Sequence, residues 1–383
     1  MLKKLRLRLQ RYQQLVLGSV AEFSHKAAQQ QFHPDLSPAG WHLGHCVYTE
    51  QYWIDEVARR QPLAAELRTL YVPEYAPKPE RGNRLPTREK LLAWAQEQQR
   101  LNLDKIEQLY TQKQSSRLLR RGYLIDFLIQ HYAQHYETLC QIKVQQHQQL
   151  AANYRVNKPL HGNTITPDLY VLPAGIYEVG STQSDRAYDN EHDRHQVKLA
   201  GCNLAQQPVS NAQYLAFMRA GGYEEAGFWS DNGWRWQQKN NIVRPDHWCQ
   251  DADGRWYSIG IDGPADLPAS GAVSGLSYYE AEACARWLGG RLPHEHEWET
   301  ALRQGGLQKT GQAWEWCRNP LFPYPGFAAF PYDGYSMPYF DDAHFVMRGG
   351  SRYTQRVIKR PSFRNYFEAD KRHQFAGLRV AFD

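Results

Sequence analysis

A chain of 383 residues, 42% of them hydrophobic, is long enough for two domains, each with its own core. Its 45 basic and 40 acidic residues leave a formal net charge of +5 spread along the chain, which reads as a solvated surface and excludes a nucleic-acid footprint. No run approaches the ~18 apolar residues of a membrane span, the basic N-terminus alternates charge with leucine instead of forming a signal core, and the six cysteines contain no CxxC pair, so a soluble, cytoplasmic protein with reduced thiols is expected.

From residue 1 to about 150, Leu, Tyr and Val recur at three- and four-residue spacing among Gln, Glu, Lys and Arg. This spacing predicts helices over 3–24, 37–59, 87–111 and 116–148, a four-helix bundle. Ser37 is placed to cap the second helix, with Pro38 in its first turn. Between the second and third helices, "YVPEYAPKPERGNRLPT" carries four prolines and a glycine and must be a loop. Between 155 and 168 the texture shifts to Pro, Gly, Thr and Val, which sets the expected domains at 1–155 and 156–383. The second domain reads as loop-rich α+β, with many Gly and Trp, and helices near 210–219 and 277–289.

Residues 131–137, "HYAQHYE", place two histidines four apart on the fourth helix, where His131 and His135 share a face. Such a pair alone is as compatible with a polar helix face as with a metal site. The second helix adds "WHLGH", with His42 and His45, on an element that a bundle brings alongside the fourth. His45 follows Trp41 by four residues and precedes Tyr52 by seven, so it shares the inward stripe, and His42 is the alternative. Three neutral imidazoles make an open site for a divalent transition metal, and the residues alone allow zinc as well as iron.

With "WHLGH" matching a W-x-L-x-H helix and "HYAQHYE" matching H-x3-H-x-E, the chain resembles the ergothioneine-type non-heme iron sulfoxide synthases. Members of that family join a DinB-like four-helix bundle to a domain related to the formylglycine-generating enzyme and to C-type lectins. The C-terminal half carries the resemblance in order through "YDNEHDRHQV" (188–197), "PVSNAQYLAFMRAGGY" (208–223), "RLPHEHEWE" (291–299), "WEWC" (314–317), "RGGS" (348–351), "SFRNYF" (362–367) and "FAGLRV" (375–380). Cys317 stands alone after "WEW", without the copper-binding cysteines of true formylglycine-generating enzymes, so oxidation of a protein cysteine is discounted.

What the resemblance implies is an enzyme using Fe(II) and dioxygen. It would couple a thiol to C2 of the imidazole of a trimethylated histidine, giving a sulfoxide, with His45, His131 and His135 holding the iron. The resemblance assigns proton donation to Tyr332, with Tyr335 as its companion in "FPYDGYS"; contact with the acceptor imidazole to Gln134; and the betaine carboxylate to Asn365 and Tyr366. Arg81 and Arg84, three apart in the long loop, fall to the sulfur donor. Relatives that use γ-glutamylcysteine carry an acid and an arginine where this chain has Phe367 and Lys371, so free cysteine, another thiol or a selenosugar stays open as donor. A thiol oxygenase without coupling, and a non-catalytic binding module, are the rival readings.

Overall fold

A computed structural model describes residues 2–112, 116–150, 153–164, 166–182 and 186–383. It divides into two compact units, Met1–Gln149 and Leu150–Asp383. No helix among the described residues is long and apolar enough to cross a membrane.

The first unit is a helical bundle: α1 (Leu2–Ala21), α2 (Ala39–Gln51), α3 (Arg88–Thr111) and α4 (Tyr123–Gln149). α1 lies against α3 and α4, and α2 against α3 and α4. Leu9, Val16, Leu43, Ile106, Leu128 and Leu139, all fully buried, form the seam that the spacing predicted. The elements differ from expectation in several places, among them an extra short helix at His25–Gln29. α2 does not run on as α-helix to 59; it passes into a π-helical segment, Tyr52–Ala58. A short helix, Ala65–Tyr71, precedes the proline-rich loop. α4 begins at 123 instead of 116, because Arg121 and Gly122 adopt positive φ of 53° and 82° and break the helical path. Ser37 does not cap α2, since Pro38 takes the cap position and the Ser37 hydroxyl accepts instead from Arg81.

The bundle core also holds a polar ladder. Gln13 donates to Glu50 at 2.8 Å, the Tyr132 hydroxyl donates to the other Glu50 oxygen at 2.7 Å, and Gln99 donates to Tyr132 at 3.3 Å. Burial pushes the Glu50 carboxyl up to about 7, and these donors only partly offset it.

The second unit is the sheet domain. β1 (Leu169–Leu172), β4 (Cys202–Ala205) and β12 (Ala381–Phe382) make one sheet, and β2 (Gly175–Val179) pairs with β3 (His195–Leu199). β5 (Trp248–Gln250), β6 (Trp256–Gly260) and β7 (Gly263–Asp266) make a meander. The central sheet has the order β10 (Asn365–Glu368), β9 (His344–Arg348), β8 (Trp314–Pro320), β11 (Ala376–Gly377), with β11 parallel to β8. Helices α5 (Asn211–Arg219) and α7 (Tyr278–Trp287) fall where expected; α6 (Asp231–Asn240) and α8 (Glu295–Arg303) are additional. α5 and α7 open with reciprocal capping boxes, Ser210 with Gln213 and Ser277 with Glu280.

Its core combines Leu172, Leu204, Trp298, Cys317 and Val346 with buried charge. Arg348 bonds Glu295 at 2.7 Å and Glu299 at 3.0 Å, Arg364 grips both oxygens of Glu295, and Arg379 grips both oxygens of Glu315. All six side chains are essentially sealed from solvent. Such pairs hold only while both partners are present. The motifs "HEHEWE", "WEW", "RGGS", "SFRN" and "GLRV" therefore meet in one buried network.

Candidate metal centre

One ring nitrogen from each of His45, His131 and His135 lies within 4.8 Å of the other two. His131 and His135, one helical turn apart on α4, bring their Nε2 atoms to 3.1 Å. Nitrogens sharing one ion at ~2.1 Å stand about 3.0–3.4 Å apart, so this pair already has a ligand spacing.

Neighbours set which nitrogen of each ring points inward. His45 Nδ1 donates to the carbonyl of Tyr71 at 2.8 Å, leaving Nε2 for the site. That carbonyl belongs to the last turn of the Ala65–Tyr71 helix, where backbone acceptors lack helical partners; the preceding one, Leu70, accepts from Trp41 Nε1 at 2.9 Å. Gly44 makes this approach possible, since a Cβ there would meet Tyr71 Cε1 at 2.0 Å. Trp41 lies flat on the His45 ring, 4.8 Å away and 12° from parallel. On the other side, His42 and His135 share a proton between their Nδ1 atoms at 2.9 Å, which turns His135 Nε2 toward His131. His42 thus stands behind His135 and outside the three-nitrogen group.

Burial, first of all, lowers the affinity of all four imidazoles for protons, to about 4 at His45 and about 3 at His42, and well below the ordinary range at His131 and His135. At His45 the Tyr71 carbonyl opposes this and the Arg81 charge adds to it. His131 Nδ1 is buried without a hydrogen-bond partner among the described residues. Neutral, converging imidazoles with outer hydrogen bonds fit a transition-metal ion, and among the described residues neither carboxylate nor thiolate joins the group.

Gln134 sits beside His135 on the same helix, half-buried, its carbonyl accepting from Thr138. Arg81 is not an open loop arginine. It is 5% exposed, bonds the carbonyls of Ala76 and Pro73 and the Ser37 hydroxyl, and covers Trp41 at 3.9 Å. Arg84 is exposed and bonds the carbonyls of Thr69 and Tyr75.

In the sheet domain, Tyr332 is 41% exposed at the start of the turn that contains Tyr335. Tyr335 stacks on Tyr188 at 4.1 Å, and its carbonyl accepts from the Tyr366 hydroxyl. Asp189 fastens this loop by accepting from Ser336 Oγ at 2.6 Å and from the Phe330 N–H. Burial, with Tyr339 and Tyr332 nearby, pushes the Tyr366 phenol well above its ordinary range, so it keeps its proton. Asn365 Oδ1 accepts from the Tyr366 N–H. Lys371 lies 3.5 Å from Asp370, and Phe367 packs edge-on to His373. Trp41, Tyr71, Tyr188 and Asp189 were not singled out from sequence; the helical offset of Trp41 from His45 was visible there, whereas the backbone carbonyl of Tyr71 leaves no side-chain signal.

The sequence model of the Sulfatase-modifying factor enzyme 1-like domain matches residues 156–310 and 306–383, and that of the DinB superfamily matches 8–139. Among curated proteins, the hercynine oxygenase of Mycobacterium tuberculosis is 30% identical over 68% of this chain and 72% of its own length. The chain belongs to the ergothioneine-type sulfoxide synthase family. The hercynine oxygenase of Mycolicibacterium thermoresistibile, another member, is 29% identical over 95% of this chain and 91% of its own. The ergothioneine biosynthesis protein 1 of Schizosaccharomyces pombe is 27% identical over 51% of this chain. As a member of this family the chain is an oxidoreductase, and DinB-like plus formylglycine-generating-enzyme-like is its fold.

Proposed function

We propose that the enzyme uses Fe(II) and dioxygen to join a sulfur donor to C2 of the imidazole of hercynine, giving a sulfoxide. The reaction balances as thiol plus imidazole C–H plus dioxygen giving the sulfoxide and water. One oxygen atom goes to sulfur, the other leaves as water, and four electrons pass from the two substrates. The observation that carries the proposal is the group of three neutral imidazoles from α2 and α4, with their inward nitrogens set by Tyr71 and His42. Relatives named hercynine oxygenase supply the substrate class.

His45, His131 and His135 would hold the iron, whose contribution when bound is redox chemistry with dioxygen. Gln134 orients the acceptor imidazole, and Asn365 and Tyr366 hold the betaine carboxylate. Tyr332, exposed at a turn fastened by Asp189, donates the proton, with Tyr335 fixing the turn against Tyr188. Because Arg81 is spent inside the bundle and Phe367 replaces an acid, a donor's charged groups are left to Arg84 and Lys371. This favours a donor less charged than γ-glutamylcysteine, such as free cysteine or a selenosugar.

Anaerobic loading with Fe(II), then oxygen with hercynine and each donor, tests the reading by mass spectrometry. A hercynine adduct formed at one dioxygen per product is expected; oxygen uptake with thiol alone and no adduct would replace coupling by thiol oxygenation. Tyr332→Phe should slow coupling and divert oxygen toward oxidation of the thiol itself, and an unchanged product ratio would remove Tyr332 from its role.

A further inference from the structure

Away from every residue assigned above, the sheet domain has a cleft of about 120 Å³ at the end of β6, open to solvent on one side. At ~10–15 Å³ for one water, it has room for a molecule of roughly eight non-hydrogen atoms. Trp248, Tyr353 and Phe375 form an apolar wall, with Tyr353 and Phe375 in ring contact at 4.5 Å. Ile259, Leu267, Pro268 and Ala272 extend that wall, and Asn211, Ser258 and Gln312 in the lining bond the backbone, which leaves three polar side chains for a ligand. Arg352 is exposed, and among the described residues its guanidinium has neither an acid nor a carbonyl partner; its backbone N–H donates to Gln312 at 3.2 Å. His247 is 4% exposed, and its Nε2 has no hydrogen-bond partner among the described residues. The Asp246 carboxylate is 3.9 Å from that atom, beyond hydrogen-bond reach. Ser274 Oγ is likewise enclosed and unpartnered among the described residues.

Buried polar atoms in native proteins are satisfied by protein, water or ligand, and a free guanidinium beside two of them calls for a ligand of matching pattern. We propose that this cavity binds a small α-hydroxy or α-amino acid, its carboxylate on Arg352 and its hydroxyl or ammonium on His247 Nε2 and Ser274 Oγ. The other His247 nitrogen is directed to the carbonyl of His373, and burial holds the ring below its ordinary pKa, so Nε2 offers a lone pair. A guanidinium takes a carboxylate through two parallel N–H bonds, and the aromatic wall accepts a short carbon skeleton.

Calorimetric titration of the full-length protein with L-lactate, L-serine and uncharged glycerol tests this. Lactate or serine should saturate one site with millimolar or tighter affinity. Arg352→Gln, at an exposed position, should weaken binding ~10-fold or more. Gly260→Leu should abolish it while keeping the wild-type melting temperature. A Cβ at Gly260 meets nothing nearer than Gly263 O at 3.6 Å and Tyr353 Oη at 4.0 Å, so a side chain can enter the cavity without disturbing the strand. No binding of either acid up to ~50 mM, equal binding of glycerol, or binding that survives Gly260→Leu would overturn the site.

Discussion

The two units bury polar residues in opposite ways. In the bundle, four imidazoles sit together with no carboxylate in their group among the described residues, and burial keeps them uncharged. In the sheet domain, Arg348, Arg364 and Arg379 are as deeply buried, but each is paired with a carboxylate of Glu295, Glu299 or Glu315. The difference teaches how to separate chemistry from architecture. Matched buried charge is complete in itself, whereas converging bare nitrogens are complete only with something between them.

The most severe break of this contrast is at the bundle. His131→Ala or His135→Ala should abolish iron loading, read by metal analysis after anaerobic reconstitution, while circular dichroism keeps the helical signal. Full iron occupancy in either variant would remove the three-nitrogen group from its role. In the sheet domain the expected loss is in stability. Arg348→Met leaves Glu295 and Glu299 each short of a partner in a sealed core and should cost about 3–5 kcal/mol, read by denaturant unfolding. A cost near zero would mean that the network is ornament.

This contrast also explains how much was legible in the sequence. Helical spacing located α1, α2, α3 and α4 because a bundle repeats one pattern over many turns. The pairing of "WHLGH" with "HYAQHYE" was legible for the same reason, since both motifs lie on helices with fixed faces. The convergence of "RGGS" and "SFRN" on Glu295 was not, because it depends on how α8 meets the central sheet, and no local period records that. α6 and α8 were missed because nine or ten residues mixing Trp, Gly and His offer little periodicity. The burial of Arg81 was hidden for a related reason. A proline-rich loop looks exposed until its carbonyls are seen to fold around one guanidinium.

Glu50 sharpens the comparison from inside the bundle, as a buried acid without a matching arginine. Its folded pKa of about 7 lies above the ordinary carboxylate value, so the folded state holds the extra proton. The sign follows: this stabilisation is full below the unfolded pKa of ~4.5 and is lost as pH rises through about 7. Glu50→Gln, which keeps a hydrogen-bonding amide between Gln13 and Tyr132, should flatten the pH dependence of stability between those values. It should also raise stability at pH ~8 by roughly 1–3 kcal/mol. An unchanged slope would show that Glu50 titrates as an ordinary acid.

The finest test concerns His42, the histidine behind His135. If its bond to His135 Nδ1 sets that ring's inward nitrogen, His42→Phe should weaken metal affinity ~10-fold or more without abolishing it, because the three inward nitrogens remain. His42→Gln, whose side-chain oxygen can accept from His135, should recover part of the loss. A structural role alone would lower the melting temperature of both variants and leave affinity unmoved once they are folded. Complete loss of metal in both, matching His131→Ala, would instead make His42 a direct ligand and displace His45. The choice between two histidines three residues apart on α2 thus rests on the difference between a tenfold and a total effect, which a metal titration resolves.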